Sequence, residues 1–179
     1  MISTLEMDGL RLVPYASEHD IQTVLWLNDP VLQRGFGLAR EITLESHRAW
    51  LAANEDILVW AITDEEGEHC GNVLLDPVMA RRSAYLQVYV GSRKSLRKGI
   101  AYRALGGVLT YAFGSLGLHR IWLHTVPGNV AAEALYAKLG FLREGVEREA
   151  LPRDGVFVDQ YRWSLLQHEW QGTARKLPR

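Results

Sequence analysis

Residues 83–126, SAYLQVYVGSRKSLRKGIAYRALGGVLTYAFGSLGLHRIWLHTV, constrain the fold more than any other part of the chain. The opening residues alternate, with Tyr85, Gln87 and Tyr89 set against Leu86, Val88 and Val90, which predicts a strand. From Gly99 to Phe113, the spacing of Ile100, Ala104, Leu105, Val108, Leu109 and Ala112 predicts a helix with one apolar face. HRIWLHTV predicts the next strand. A strand, a helix and a strand in succession imply a crossover connection and a parallel pair.

The neighbouring runs connect differently. DILVWAIT ends at the turn Asp64-Glu65-Glu66-Gly67, and HCGNVLLD ends at Asp76-Pro77. Connections this short join these runs and SAYLQVYVG into an antiparallel meander. Before it, Leu10 to Val13 reads as a short first strand ended by Pro14. Ser17 caps a helix in which Ile21, Val24, Leu25 and Leu27 carry the helical spacing and Asn28-Asp29-Pro30 is the stop. VLQRGFGLARE, with two glycines, reads as a loop. In ITLESHRAWLAAN, Thr43 is the cap, Ser46 is the third helical position, and Leu44, His47, Trp50 and Leu51 share a face. After HRIWLHTV, Asn129 to Leu139 predicts a helix closed by Gly140. FLREGVEREAL and VFVDQYRWSLL follow as strands joined at Arg153-Asp154-Gly155. The sum is a mixed α/β sheet covered by helices. Residues 1–166 form one domain, and 167–179 are a polar, frayed tail.

Composition removes several function classes. A net charge of -1 gives no general reason to expect nucleic acid or a membrane surface as partner. No apolar run approaches the ~20 residues of a membrane span. MISTLEMDGLRL lacks the basic start and apolar run of a signal peptide, so a cytoplasmic protein is expected. Cys70 is the single cysteine, which suits a reducing compartment and a small buried role. The six histidines show no metal-ligand spacing, and no metal is expected. Trp163 and Trp170 are either core residues or a dimer surface, leaving a monomer or homodimer.

Against this neutral background, positive charge gathers around Gly99: Arg93, Lys94, Arg97 and Lys98 precede it and Arg103 follows. A helix N-terminus has unsatisfied N–H groups and a partial positive charge, so it attracts phosphate. Glycine there lets an anion approach the backbone. The turn lacks both the Walker pattern and the Gly-x-Gly-x-x-Gly fingerprint. A diphosphate cradle and a solvated charged loop therefore both fit the turn alone. PGNVAAEALYAKLGF adds a capping Asn129, the small residues Ala131, Ala132 and Ala134, a core pair Leu135 and Leu139, and Tyr136 one residue off that pair.

Taken together, LRKGIAYRAL and GNVAAEALYAKLGF resemble the two coenzyme A motifs of the GNAT superfamily of N-acetyltransferases. The first resembles its pyrophosphate loop, with Gly99 and Ala101 on the small positions and Leu96 where the family often has Arg or Gln. The second resembles the family's Asn-x-x-Ala-x-x-Leu-Tyr-x-Lys-x-Gly-Phe segment. GLRLVPYASEHD, WLNDP and HRAW are similar to the ribosomal-protein N-terminal (Rim-type) branch and to amino-sugar acetyltransferases. The resemblance covers most of Gly9 to Leu166. It implies a GNAT-like fold: a mostly antiparallel twisted sheet of about seven strands, a splayed parallel pair, and helices on both faces.

The resemblance further implies an acetyl-CoA-dependent N-acetyltransferase, in which an amine attacks the thioester directly in a ternary complex. Backbone from Val88, Tyr89 and Val90 holds the pantetheine arm and the thioester oxygen. The turn Leu96, Arg97, Lys98, Gly99, Ile100 and Ala101 holds the diphosphate, while Asn129 and Ala132 lie on the coenzyme side. Tyr136 is the expected general acid for the leaving thiolate. Many relatives carry Glu where this chain has Gln87, so the base is open among His47, Glu45, His124 and a water relay. The expected acceptor pocket lies between the first two helices and the last hairpin, with Trp26, Asn28, Phe36, His47, Tyr85, Gln87 and the turn Glu147 to Asp154 as its lining. A protein N-terminal amine and a small amine (amino sugar, polyamine or aminoglycoside) are the rival acceptors. A non-catalytic acyl-CoA sensor is the alternative function; it needs the basic turn but not Tyr136.

Overall fold

In the computed structural model, which describes residues 2–36, 38, 40–153 and 155–172, eight strands form one sheet in the order β1-β2-β3-β4-β5-β6-β8-β7. Along the chain these are β1 (Leu5–Met7), β2 (Leu10–Pro14), β3 (Leu58–Thr63), β4 (His69–Val78), β5 (Ser83–Val90), β6 (Arg120–Thr125), β7 (Leu142–Arg153) and β8 (Val156–Leu166). The helices are α1 (Asp20–Leu27), α2 (Pro30–Phe36), α3 (Leu44–Ala53), α4 (Ile100–Gly114) and α5 (Val130–Lys138). Every neighbouring pair is antiparallel except β5 and β6, which are parallel.

That parallel ladder is short. Ser83, Ala84 and Tyr85 pair with Arg120, Ile121 and Trp122, and pairing then stops. Beyond that point each strand is held by its outer neighbour. β5 stays in register with β4 as far as Val90↔Gly71, and the Gly91 and Ser92 N–H groups both donate to the Cys70 carbonyl. β6 stays in register with β8 as far as Thr125↔Tyr161, where Trp163 Nε1 donates to Thr125 Oγ1 at 2.9 Å. The two strands are thus anchored apart, and the facing backbone groups of Gln87 to Val90 have no β6 partner.

α4 packs over one face of the sheet. Ile100, Ala104, Leu105, Val108, Leu109 and Ala112 are all buried, as their spacing predicts, among Leu12, Trp60, Leu86, Ile121 and Leu123. α5 lies beside it, with Lys138 Nζ 4.6 Å from the centre of the Tyr102 ring. α1, α2 and α3 cover the opposite face. The expected Thr43 cap of α3 is present, and it forms a capping box with Ser46: Ser46 N–H donates to Thr43 Oγ1, and Thr43 N–H donates to Ser46 Oγ.

Five local expectations differ from the structure. Ser17 does not cap α1: it opens a single 3-10 turn, Ser17–His19, and α1 follows with His19 at its cap position and no side-chain cap hydrogen bond. β1 is an additional strand, three residues long and paired with β2 across the Gly9 turn. The segment read as a loop after Asn28 contains α2, which starts at Pro30, a favourable first helical position because its missing N–H has no partner to lose. The inward face of α1 is Asp20, Thr23 and Trp26, whereas Ile21 and Leu25 are 67% and 62% exposed. Finally, the tail begins docked: Leu166 N–H donates to Glu169 Oε2, Gln167 Nε2 donates to the Phe113 carbonyl, and Trp170 packs against the core. Residues 173–179 lie outside the described residues. Trp163 is a core residue as well.

Trp26 wedges against Gly91, where a Cβ would stand 2.1 Å from the indole. Because interiors are close-packed, the ring has nowhere to retreat. Gly91→Ala is expected to lower stability by about 1–3 kcal/mol, read as a reduced midpoint in urea at unchanged slope.

Candidate active site

The basic turn forms a backbone cradle. Leu96 is extended, Arg97 is left-handed at φ 62°, and Gly99 is left-handed at φ 71° as the cap of α4. No side chain caps α4, so the first-turn N–H groups are left for an external acceptor. A Cβ on Gly99 would meet nothing within 4 Å, so the approach is open and the glycine is needed for its positive φ. Arg97 and Lys98 are exposed at the rim, as is Leu96. Two of the basic residues are committed elsewhere. Arg103 donates to the carbonyls of Asp8 and Lys98, and Arg93 lies 3.8 Å from Asp29. The cradle fits a diphosphate through its backbone, and the open edge of β5 from Gln87 to Val90 fits an extended amide-bearing arm such as pantetheine.

Behind the cradle, Ser95 Oγ donates to the Cys70 sulfur at 3.3 Å, and burial pushes the Cys70 thiol up from its usual value. This cysteine is a packing residue.

Tyr136 is 6% exposed and packs on Phe141. It lies on the inward face of α5 with Leu139, while Leu135 is only partly buried. Its hydroxyl makes no hydrogen bond among the described residues. Burial, and then the nearby Tyr85, push it above the usual phenol range. Tyr85 belongs to the other side of the opening: it stacks on Trp122 at 4.5 Å, and its hydroxyl accepts from Gln87 Nε2 at 3.1 Å. Asn129 caps α5, its Oδ1 accepting from the Ala132 N–H.

On the α1–α3 side, a cavity of ≈ 370 Å³ reaches from α3 to Gln87 on β5. Phe36, Leu38, Trp50 and Leu74 give it apolar walls, and Tyr15, Thr23, His47, Asn72, Gln87 and Tyr89 add polar groups. Not one carboxylate lines it among the described residues. His47 Nε2 lies 2.9 Å from the Tyr15 hydroxyl and 3.6 Å from Asp20 Oδ1. Asp20 is 2% exposed; its Oδ2 accepts from Arg48 Nε at 2.7 Å, while its Oδ1 has no hydrogen-bond partner among the described residues. Burial pushes the His47 ring below its usual value, with Asp20 opposing and Arg48 assisting. Tyr15 is pushed up, chiefly by burial. Asn72 Nδ2 donates to Thr23 Oγ1 and to the Tyr89 hydroxyl, and burial pushes that phenol up to about 12.

Of the residues expected to line an acceptor pocket, Phe36, His47 and Gln87 meet in this cavity. Trp26 is instead a wedge between His69, Tyr89 and Gly91. Asn28 is used up in clamping the chain: its Oδ1 accepts from Ile42 N–H, and its Nδ2 donates to the Ile42 and Val24 carbonyls. Tyr85 stands at the strand opening. His124 lies 3.0 Å from Glu147 Oε2, in a network with Arg162, which stacks on Trp122. Burial pushes the Glu147 carboxyl up, but Arg162 and His124 outweigh this and hold it below its usual value. Asp154 lies outside the described residues. Tyr15, Asp20, Thr23 and Asn72 were not among the expected site residues. The signal for two of them was Asp20 and Thr23 at i,i+3 with Trp26 following, a polar stripe pointing inward.

Known proteins resemble this chain in sequence and in fold. The chain is similar to YdaF of Bacillus subtilis (strain 168), 32% identical over 108 residues that cover 60% of this chain and 58% of that protein. It is similar to the spermidine N(1)-acetyltransferase of Vibrio cholerae, 34% identical over 89 residues, 50% of this chain and 51% of that one. Similarity to the [ribosomal protein uS5]-alanine N-acetyltransferase of Escherichia coli (strain K12) is 31% over 88 residues, 49% of this chain and 45% of that one. The chain therefore spans about half the length of these relatives. A crystal structure of the Vibrio cholerae spermidine N-acetyltransferase in complex with CoA and spermine has the same fold, with TM-score 0.84 at 22% identity, covering 90% of this chain and 97% of that one. A family model described as an acetyltransferase (GNAT) domain matches residues 9–142. Since that match runs from the turn before β2 to the first residue of β7, and so takes in both the cradle and the opened strand pair, the chain belongs to the GNAT acetyltransferase domain family.

Proposed function

We propose that this protein transfers the acetyl group of acetyl-CoA to a primary amine by direct attack on the thioester. The carrying observation is the opening of β5 from β6 beyond Tyr85 and Trp122, with a phosphate-type cradle at one end and the neutral cavity meeting it at Gln87. In this reading the free backbone of Gln87 to Val90 aligns the arm of acetyl-CoA, and an N–H there faces the thioester oxygen as charge develops. The α4 cradle fixes the diphosphate. The amine enters from the α1–α3 cavity.

Two protons must move. The attacking nitrogen has to be neutral, and the departing sulfur has to gain a proton. His47 takes the first: burial holds its ring neutral near pH 7, and a neutral imidazole accepts a proton directly or through one water. Protonation then brings a positive ring beside the unpartnered Asp20 Oδ1. Tyr136 supplies the second proton. Its raised value keeps the phenol protonated, and the same desolvation raises the proton affinity of the thiolate it serves.

Relatives bearing the names of a ribosomal-protein alanine acetyltransferase and a spermidine acetyltransferase leave the acceptor open. The absence of carboxylates from the described cavity walls supports an amine on an uncharged stem rather than a polyamine, whose added cations need anionic partners.

Tyr136→Phe is expected to lower kcat about 100-fold while leaving the acetyl-CoA affinity unchanged, measured by thiol release and by calorimetry. Unchanged turnover removes the proton-donor role; a protein that binds acetyl-CoA but turns over no amine is the sensor instead. The buried rings also set a pH dependence of stability. His47 and His69 both have lowered values in the folded chain, so below pH 6.5 the unfolded chain binds protons that the folded chain does not. Stability is expected to fall as pH drops from about 7 to 5. His47→Gln is expected to flatten part of that fall in urea titrations, and an unchanged slope contradicts the buried neutral ring.

A further inference from the structure

Leu38 lines both the acceptor cavity and a second cavity of ≈ 780 Å³, between α2 and the tip of the β7–β8 hairpin, so the two are adjacent. The walls of the two are chemically opposite. The inner cavity has no carboxylate or cationic chain among its described lining residues apart from the titratable His47. The outer one carries Arg34, Arg40 and Arg153, with Glu41 as its one described carboxylate. Among the described lining residues, cations outnumber carboxylates three to one. None of the three arginines has a carboxylate partner within 4.0 Å among the described residues. This contrasts with Arg11, Arg48, Arg120 and Arg162, which all do.

We propose that this outer cavity is an anion subsite for the acceptor, which is a primary amine joined through an uncharged stem to a carboxylate or phosphate. The inference rests on the acetyl-transfer reading above and specifies its substrate class. A guanidinium presents a planar fork of donors that matches either anion. Arg34 on α2, Arg40 in the segment after it and Arg153 at the end of β7 line one mouth. The same charges repel a polyamine, whose distal ammonium groups lie where the arginines stand.

The test uses the full chain with saturating acetyl-CoA and a matched series of primary amines on one aliphatic stem. The far ends are a carboxylate, a phosphate monoester, a carboxamide and an ammonium. Both anionic acceptors are expected to exceed the carboxamide in kcat/KM by about tenfold, and the ammonium to fall below it. The carboxylate and phosphate arms show which anion the mouth prefers. Raising the salt, or replacing Arg34, Arg40 and Arg153 together by Gln, is expected to bring the anion-to-carboxamide ratio close to one. Equal or better use of the ammonium acceptor overturns the proposal. So does a variant that keeps the ratio while the KM for acetyl-CoA rises, which assigns the arginines to the coenzyme. Calorimetric binding of the same series in the presence of CoA separates this proposal from the activity itself. If no amine is turned over, tighter binding of the anionic members still supports the subsite, and equal or weaker binding still overturns it.

Discussion

The functional architecture depends on a parallel ladder that ends after three residue pairs. Were β5 and β6 to pair along their whole length, the sheet would be continuous and α4 would merely cover it. Because β5 is tied to β4 up to Gly91 and Ser92, and β6 to β8 up to Thr125, the pair opens. An unpaired strand edge inside a domain is costly unless it finds hydrogen-bond partners. In the proposed function the opening is the binding element for the coenzyme arm, with the buried Tyr136 of α5 on one side and the hydrogen-bonded pair Tyr85 and Gln87 of β5 on the other.

On the acceptor side, the chain spends polar side chains on its interior. Asp20, Thr23 and Trp26 form the inward face of α1, while Ile21 and Leu25 face outward. The result is a hydrogen-bonded web: Tyr15, His47, Asp20 and Arg48 in one part, and Thr23, Asn72, Tyr89 and His69 in the other. Buried polar groups of this kind are retained only where partners satisfy them. Two atoms of the web are buried without a hydrogen-bond partner among the described residues, His69 Nδ1 and Asp20 Oδ1, and the latter lies 3.6 Å from the ring that the proposed mechanism charges.

Much of this was legible in the sequence, for physical reasons that differ by element. The α4 face was readable because its six core residues recur at helical spacing, and the crossover followed from a strand on each side. Gly99 could be read because a helix start that admits an anion needs both a bare backbone and a positive φ. The α1 face was misread because periodicity finds apolar stripes, and here the buried stripe is polar. α2 was hidden by Gly35 within it and a second glycine just beyond in the sequence, although Pro30 marks its first turn. β1 is too short to alternate visibly. The assignment of Trp26 and Asn28 to an acceptor pocket followed from their place in the chain. The structure gives the indole a local partner in Gly91, while Asn28 clamps Ile42 and also lines the outer cavity beside α2. Tyr15 follows β2, Asn72 belongs to β4 and Leu38 to the segment after α2, and only folding brings them together.

The central claim, that the cradle and the strand opening together hold acetyl-CoA, is tested most directly by thermal melting of the full chain with and without acetyl-CoA. At about 100 times the dissociation constant, binding to the native state alone adds about 2.7 kcal/mol. For a domain of this size that corresponds to a rise in Tm of about 5–10 °C, and the account predicts a rise in that range. An unchanged Tm, in a protein shown by circular dichroism to be folded, contradicts the account: the basic turn is then a solvated loop and the opening between β5 and β6 serves some other ligand.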